Sequence, residues 1–119
     1  MDLKEYQERA RTTAQYPEVD SGSKWSINYC IVSLGGEVGE LQNKWKKVLR
    51  GDKYLPGDGP SEIVSIRELL SSEIGDALWY LAMLAKELGT TLDEIAEMNL
   101  AKLKSRQDRG VVKGSGDKR

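Results

Sequence analysis

Histidine is absent from this sequence of 119 residues, and so is phenylalanine. Without imidazole there is no Ser-His-Asp or Cys-His unit, no histidine general base, and no zinc site that depends on a histidine ligand. Cysteine occurs once, as Cys30, so no internal disulfide braces the fold, and a reducing, cytoplasmic setting is expected. Neither sign of charge dominates: 18 Lys plus Arg face 19 Asp plus Glu, for a net charge of −1. That balance gives no global pull toward nucleic acid or a membrane surface. No apolar run approaches the roughly 20 residues needed to span a bilayer. The opening Met1-Asp2-Leu3-Lys4-Glu5 lacks the apolar stretch of a secretory signal. What is left is a single domain whose chemistry must rest on carboxylates, lysine and arginine, amides or aromatics, with neither nucleic acid nor membrane as partner.

Glycine and proline divide the chain into four periodic stretches. The first, Leu3 to about Ala14, is short, with Asp2 placed as its N-cap. The second runs from about Trp25 to Arg50. Its apolar residues Ile27, Ile31, Leu34, Val38, Leu41, Trp45 and Val48 alternate steps of four and three, a helical stripe and not a strand. Gly51 to Pro60 breaks the pattern as a loop. The third stretch, from Ser61 or Glu62 to Leu88, carries Ile63, Ile66, Leu70, Ile74, Ala77, Leu81, Leu84 and Leu88, with Gly89 as its stop. Thr91-Leu92-Asp93-Glu94 reads as a capping box that opens a fourth helix ending near Arg106. Both long stripes are expected to be core, and Trp45 and Trp79 with them. The pattern predicts an all-α chain, a four-helix-type bundle built on a long antiparallel helical hairpin. Residues 1–106 form its domain, and residues 107–119 a tail rich in Gly, Lys and Arg.

The acids of the two long helices are not spread as solubility charges would be. Residues three apart share a helix face, so Glu37 and Glu40 project together, as do Glu73 and Asp76. Glu73 and Asp76 fall on the shoulder of their stripe and point into the groove between helices. Glu37 flanks its own stripe, and Glu40 lies further round. In an antiparallel hairpin the four converge, and such a cluster is unfavourable unless cations offset the repulsion. An all-oxygen site suits Mg²⁺, with Mn²⁺ as a substitute. Gly35, Gly36, Gly39 and Gly75 surround these acids. Each glycine inside a helix costs about 1 kcal/mol relative to alanine, so their presence implies close backbone approach, function, or both.

Glu37-x-x-Glu40 followed by Glu73-x-x-Asp76 resembles the metal motif of the MazG-like, all-α nucleoside triphosphate pyrophosphohydrolases. Gly-Glu-Val-Gly-Glu40, Glu73-Ile-Gly-Asp-Ala-Leu-Trp-Tyr-Leu81 and Asn99-Leu-Ala-Lys102-Leu-x-x-Arg106 support the resemblance, which extends from about Tyr6 to Arg106. It implies a MazG-like bundle and hydrolysis of nucleoside triphosphates, foremost deoxynucleoside triphosphates, to the monophosphate and pyrophosphate. In that light Glu37, Glu40, Glu73 and Asp76 hold Mg²⁺, and Glu37 or Glu40 takes a proton from the attacking water. One position departs from the pattern: many members carry a further Glu where this chain has Gly36.

Phosphate needs cations and donors besides the metal. Lys44 lies one turn after Glu40 on the same face and Lys47 one position round. Asn99 and Lys102 form an i,i+3 pair resembling the family's amide and lysine phosphate ligands, and Arg106 continues their face. Trp25 and Tyr80 are the candidates to stack on a base, which aromatics do with little discrimination. The resemblance further implies a homo-oligomer, a dimer or more readily a tetramer. Three other readings compete. One is a non-catalytic helical module that binds nucleotide or metal. The second is a structural or oligomerisation module in which the acids are surface charge. The third is the related phosphoribosyl-ATP pyrophosphohydrolase.

Overall fold

The computed structural model describes residues 1–51 and 60–119, with side chains outside 60–65. Four helices follow one another: α1 (Leu3–Arg11), α2 (Lys24–Leu49), α3 (Pro60–Glu87) and α4 (Leu92–Asp108). The described residues contain no strand, so the protein is all-α as its periodicity requires. None of these helices is long and apolar enough to cross a membrane. Most of the loop expected over 51–60, and the place of Ile63 in its stripe, lie outside the described residues.

Local chemistry sets the ends. Asp2 Oδ1 accepts from the Glu5 N–H at 2.7 Å, and Ser23 Oγ from the Ser26 N–H at 3.1 Å. Thr91 and Glu94 form the reciprocal capping box. Helix α1 stops at Arg11, short of the Ala14 that periodicity suggests. There the Thr12 and Thr13 hydroxyls donate to the Arg9 and Ala10 carbonyls at 2.7 Å each, a local alternative to continued helix. Gly89, at φ 74°, ends α3. The Thr90 N–H bonds the Ala85 carbonyl and the Gly89 N–H that of Lys86, both at 3.0 Å, which occupies carbonyls the helix leaves unpaired.

Helices α2 and α3 pair antiparallel, as their contacts show. Ser26 meets Glu87, Ser33 meets Tyr80, and Lys44 meets Glu73, so one number rises as the other falls. Helix α1 packs on α3 and α4; α4 packs on α1 and α3 and, among the described residues, not on α2. The buried apolar core is Ala10, Tyr16, Cys30, Ala82, Met83, Ala85 and Leu92, at the end where the α1–α2 connection and the start of α4 meet α3. Gln7 joins that end. Its Nε2 donates to the Thr90 carbonyl at 3.1 Å, and its Oε1 accepts from the Leu92 N–H at 2.8 Å, satisfying a donor in the first turn of α4.

The apolar stripes are only half core, which corrects the sequence expectation. On α2, Ile27, Leu34, Leu41 and Val48 are partly buried while Ile31, Val38 and Trp45 are exposed. On α3, Leu70, Ala77 and Leu84 turn inward while Ile74, Leu81 and Leu88 are exposed. Apart from Ile66, which is partly buried, the described members of each stripe fall into two ladders with a seven-residue step, one partly buried and one exposed. A three–four periodicity marks both edges of a seam without saying how many helices cover it. Trp45, read as core, belongs to the outer ladder; Trp79 is partly buried against the core. The glycines bear on one of the two readings given for them. A Cβ on Gly35, Gly36, Gly39 or Gly75 would meet nothing within 4 Å, so among the described residues no close approach calls for them.

Beyond α4 the chain turns back on its own helix. Arg106 is buried, and its Nη2 donates to the Asp117 carbonyl at 2.9 Å and the Gly116 carbonyl at 3.4 Å. Arg119 Nε reaches the Val111 carbonyl at 3.1 Å.

Candidate functional site

The antiparallel pairing of α2 and α3 brings Glu37 against the i,i+3 pair of α3. Glu37, Glu73 and Asp76 each offer a carboxylate oxygen, and these oxygens all lie within 4.8 Å of one another. Glu73 is buried, Glu37 half-buried and Asp76 exposed, so the group runs from the helix interface to the surface. Glu40 stands outside this trio on the exposed side of α2, with its charge still acting on Glu37 and Lys44. Burial first, then the charges of Asp76, Glu73 and Glu40, push the Glu37 carboxyl above its usual range, against the opposing pull of Lys44.

Lys44 Nζ makes a hydrogen-bonded ion pair with Glu73 Oε1. That bond, and the fields of Glu73, Glu40 and Asp76, raise the lysine above its ordinary value. The Lys44 ammonium thus stands on a group of three carboxylates with a fourth close by. The donors are all hard oxygens and the negative charge is in excess, which is the composition that suits Mg²⁺ or Mn²⁺. A lysine already standing on Glu73 marks where the field favours a cation.

A cavity of about 400 Å³ adjoins the acids, lined by Thr13, Glu37, Asp76, Trp79 and Tyr80. Trp79 Nε1 donates to Thr13 Oγ1 at 2.9 Å. Trp79 and Tyr80 meet edge to face, with centroids 4.9 Å apart and planes at 84°, a favourable aromatic geometry. Burial chiefly raises the Tyr80 phenol, with its hydrogen bond to Ser33 opposing. Two of the expected base-side aromatics are therefore separated: Tyr80 lies at the acids, whereas Trp25 is exposed at the start of α2 and does not line this cavity. Lys47 is half-buried on α2. Asn99 and Lys102 line a different hollow, of about 250 Å³, with Ile95 and Met98. Lys102 Nζ lies 3.5 Å from Asp117 of the C-terminal turn. Among the described residues, this face of α4 and the acids line separate hollows.

Thr13 and Trp79 are the lining residues the sequence reading missed. Trp79 stands three residues after Asp76, the same-face spacing that marked the acids, but a tryptophan at that spacing is equally a core residue. Thr13 follows the end of α1 and carries no spacing signal at all.

Residues 28–111 match the MazG nucleotide pyrophosphohydrolase domain, a span that holds all four acids, Lys44, Lys47, Tyr80, Asn99 and Lys102. The chain belongs to the MazG family. It is also 45% identical over 115 residues to a protein described as Gene 37 protein of Mycobacterium phage L5, covering 96% of each chain. No solved structure matches it. In this MazG chain, Thr13 falls before the matched span, so the wall of the cavity draws on a residue that the family match does not include.

Proposed function

We propose that this MazG protein is a Mg²⁺-dependent pyrophosphohydrolase that converts nucleoside triphosphates, foremost deoxynucleoside triphosphates, to the monophosphate and pyrophosphate. The observation that carries this reading is the trio Glu37, Glu73 and Asp76, of which Glu37 and Asp76 line an open hollow together with Trp79 and Tyr80. Glu37, Glu73 and Asp76, with Glu40 turning in, would hold the metal, with Mn²⁺ as a substitute. When bound, Mg²⁺ supplies charge neutralisation on the phosphates and acidifies a coordinated water.

The protein's own groups do the rest. Glu37, whose carboxyl is already pushed toward higher pKa, or Glu40 beside it, takes the proton of the attacking water, a role that needs a carboxylate within hydrogen-bond reach. Lys44 and Lys47 neutralise phosphate from α2. Asn99 and Lys102 do so from α4 of a second copy, because a single chain leaves them apart from the acids. Tyr80 faces the base, and Trp25 contributes from its exposed position. The outer ladders of Ile31, Val38 and Trp45 and of Ile74, Leu81 and Leu88 supply the apolar face on which copies pair, as a dimer or a tetramer.

Purified protein assayed with Mg²⁺ against the common ribo- and deoxyribonucleoside triphosphates tests the reading. The expected result is pyrophosphate release that Glu40→Gln and Asp76→Asn abolish. No turnover of any triphosphate, with no thermal shift on adding Mg²⁺, would leave a non-catalytic helical module in its place.

A further inference from the structure

Glu87, at the C-terminal end of α3, is a buried carboxylate that takes no part in the acidic group. It is 5% exposed and accepts four hydrogen bonds. Tyr16 Oη donates at 2.8 Å, the Asp20 N–H at 2.7 Å, the Gly22 N–H at 2.9 Å and Ser26 Oγ at 2.9 Å. All four donors belong to the α1–α2 connection or the first turn of α2. Glu18 and Asp20 sit at φ 60° and 65°, a region non-glycine residues rarely occupy. Gly22 has φ 63°, and a Cβ there would come within 3.2 Å of the Glu87 carbonyl oxygen. Glu87 clasps this segment through those four bonds, and Arg11 Nε donates to Asp20 Oδ2 at 2.7 Å.

The clasped segment reaches the cavity by two routes. Tyr16, held through its hydroxyl, stacks on Tyr29 with centroids 5.4 Å apart and meets Trp79 edge-on at 6.3 Å. Trp79 in turn meets Tyr80. Thr13, at the start of the same connection, accepts the Trp79 indole N–H. Trp79, Tyr80 and Thr13 are three of the five residues lining the cavity beside Glu37 and Asp76. The carboxylate at one end of α3 and the aromatic wall further along it are joined by a continuous set of contacts.

We propose that Glu87 is a positioning residue for nucleotide binding: by clasping residues 16–26 it fixes Tyr16, and through Tyr16 the Trp79–Tyr80 wall that takes the base. This rests on the nucleotide reading above. It assigns Glu87 an influence on how the substrate is held and none on the metal or the attacking water. Loss of such an interaction raises KM and leaves kcat unchanged.

Two variants test it. Glu87→Gln replaces an acceptor oxygen with an NH₂ group, so one pair of the four donors loses its partner. Tyr16→Phe keeps the ring stack and removes only the hydroxyl. In both, KM for the triphosphate is expected to rise roughly tenfold, with kcat and the half-saturating Mg²⁺ concentration within about twofold of wild type. An unchanged KM, or a fall in kcat at constant KM, overturns the proposal. A second readout needs no turnover. In a Trp25→Phe, Trp45→Phe background Trp79 is the sole tryptophan, and Glu87→Gln should shift its emission to the red and increase its quenching by acrylamide. Unaltered Trp79 emission sinks the positioning role even in an active enzyme. Absence of triphosphate hydrolysis in the wild type sinks the nucleotide reading while the emission result stands. If Glu87→Gln does not fold, Tyr16→Phe carries both measurements.

Discussion

Lys44 and Glu73 are joined across the α2–α3 interface, the ammonium resting on the most buried carboxylate of the acidic trio. The pair gives this carboxylate a counter-charge, and on the proposed reading it sets lysine and metal in competition for one oxygen. Anything that binds only the folded protein raises its melting temperature by mass action, and it does so less when an internal cation must first be displaced. Lys44→Met is therefore expected to have a lower Tm than wild type without metal and a larger Tm rise on adding Mg²⁺. Differential scanning fluorimetry across a Mg²⁺ titration reads both quantities. An equal rise in the two proteins would show that the lysine does not stand in the metal's place. The same variant should lose turnover, because on the proposed reading the Lys44 ammonium also neutralises phosphate.

Glu87 makes stability depend on pH in a defined direction. Burial by itself would raise its carboxyl, but the hydrogen bonds from Tyr16, Gly22, Asp20 and Ser26 outweigh that and hold it below its ordinary value. The groups facing it are the Tyr16 phenol and the Cys30 thiol, both pushed up, and the Arg11 guanidinium paired with Asp20. A carboxyl whose folded pKa is depressed adds stability above its unfolded pKa, near 4.3, and loses it as pH falls through the folded value. Wild type should weaken below about pH 4.5. Glu87→Gln should be less stable by roughly 2–3 kcal/mol at neutral pH, with that difference shrinking in acid. Urea unfolding at a series of pH values measures the gap, and a gap constant with pH would assign the loss to packing alone.

The helices, their caps and the acidic pairs were legible because each is written in short-range spacing. Asp2, Thr91 with Glu94, and Gly89 act within one helical turn of themselves. The steps between Glu37 and Glu40, and between Glu73 and Asp76, fix which residues share a face. Spacing does not carry the register between helices. That register brings Glu37, Glu73 and Asp76 together, leaves Glu40 at their edge, and turns Lys44 onto Glu73. The role of residues 12–26 was not legible at all. Thr13, Tyr16 and the clasp by Glu87 depend on contacts across more than sixty positions, for which no local pattern exists.

Gly36 sits within α2 with open space where a Cβ would point. Neither a turn nor a contact within the chain requires a glycine there. Gly36→Ala should therefore stabilise the protein by about 0.8–1.0 kcal/mol, the helix-propensity difference. Thermal unfolding gives the sign directly. A fall in Tm instead would mean that a second copy or a bound molecule packs against this face in the native protein.

Assembly is the prediction that the split stripes make. By the α2–α3 register, Ile31 lies near the height of Leu81, and Val38 near that of Ile74. Ile31 and Ile74 are each more than half exposed, and Val38 and Leu81 about two-fifths. Contiguous apolar surface of this kind marks an interaction site, and the seven-residue steps suit helix against helix. Light scattering should give a mass that is a multiple of the 13.3 kDa chain. Leu81→Glu places a charge in the outer ladder of α3 while leaving the inner ladder and the acids untouched. It should shift the mass toward the single chain with helical circular dichroism retained. Activity should fall with the mass, because the proposed site takes Asn99 and Lys102 from another copy. A monomeric variant with full turnover would remove α4 from the site.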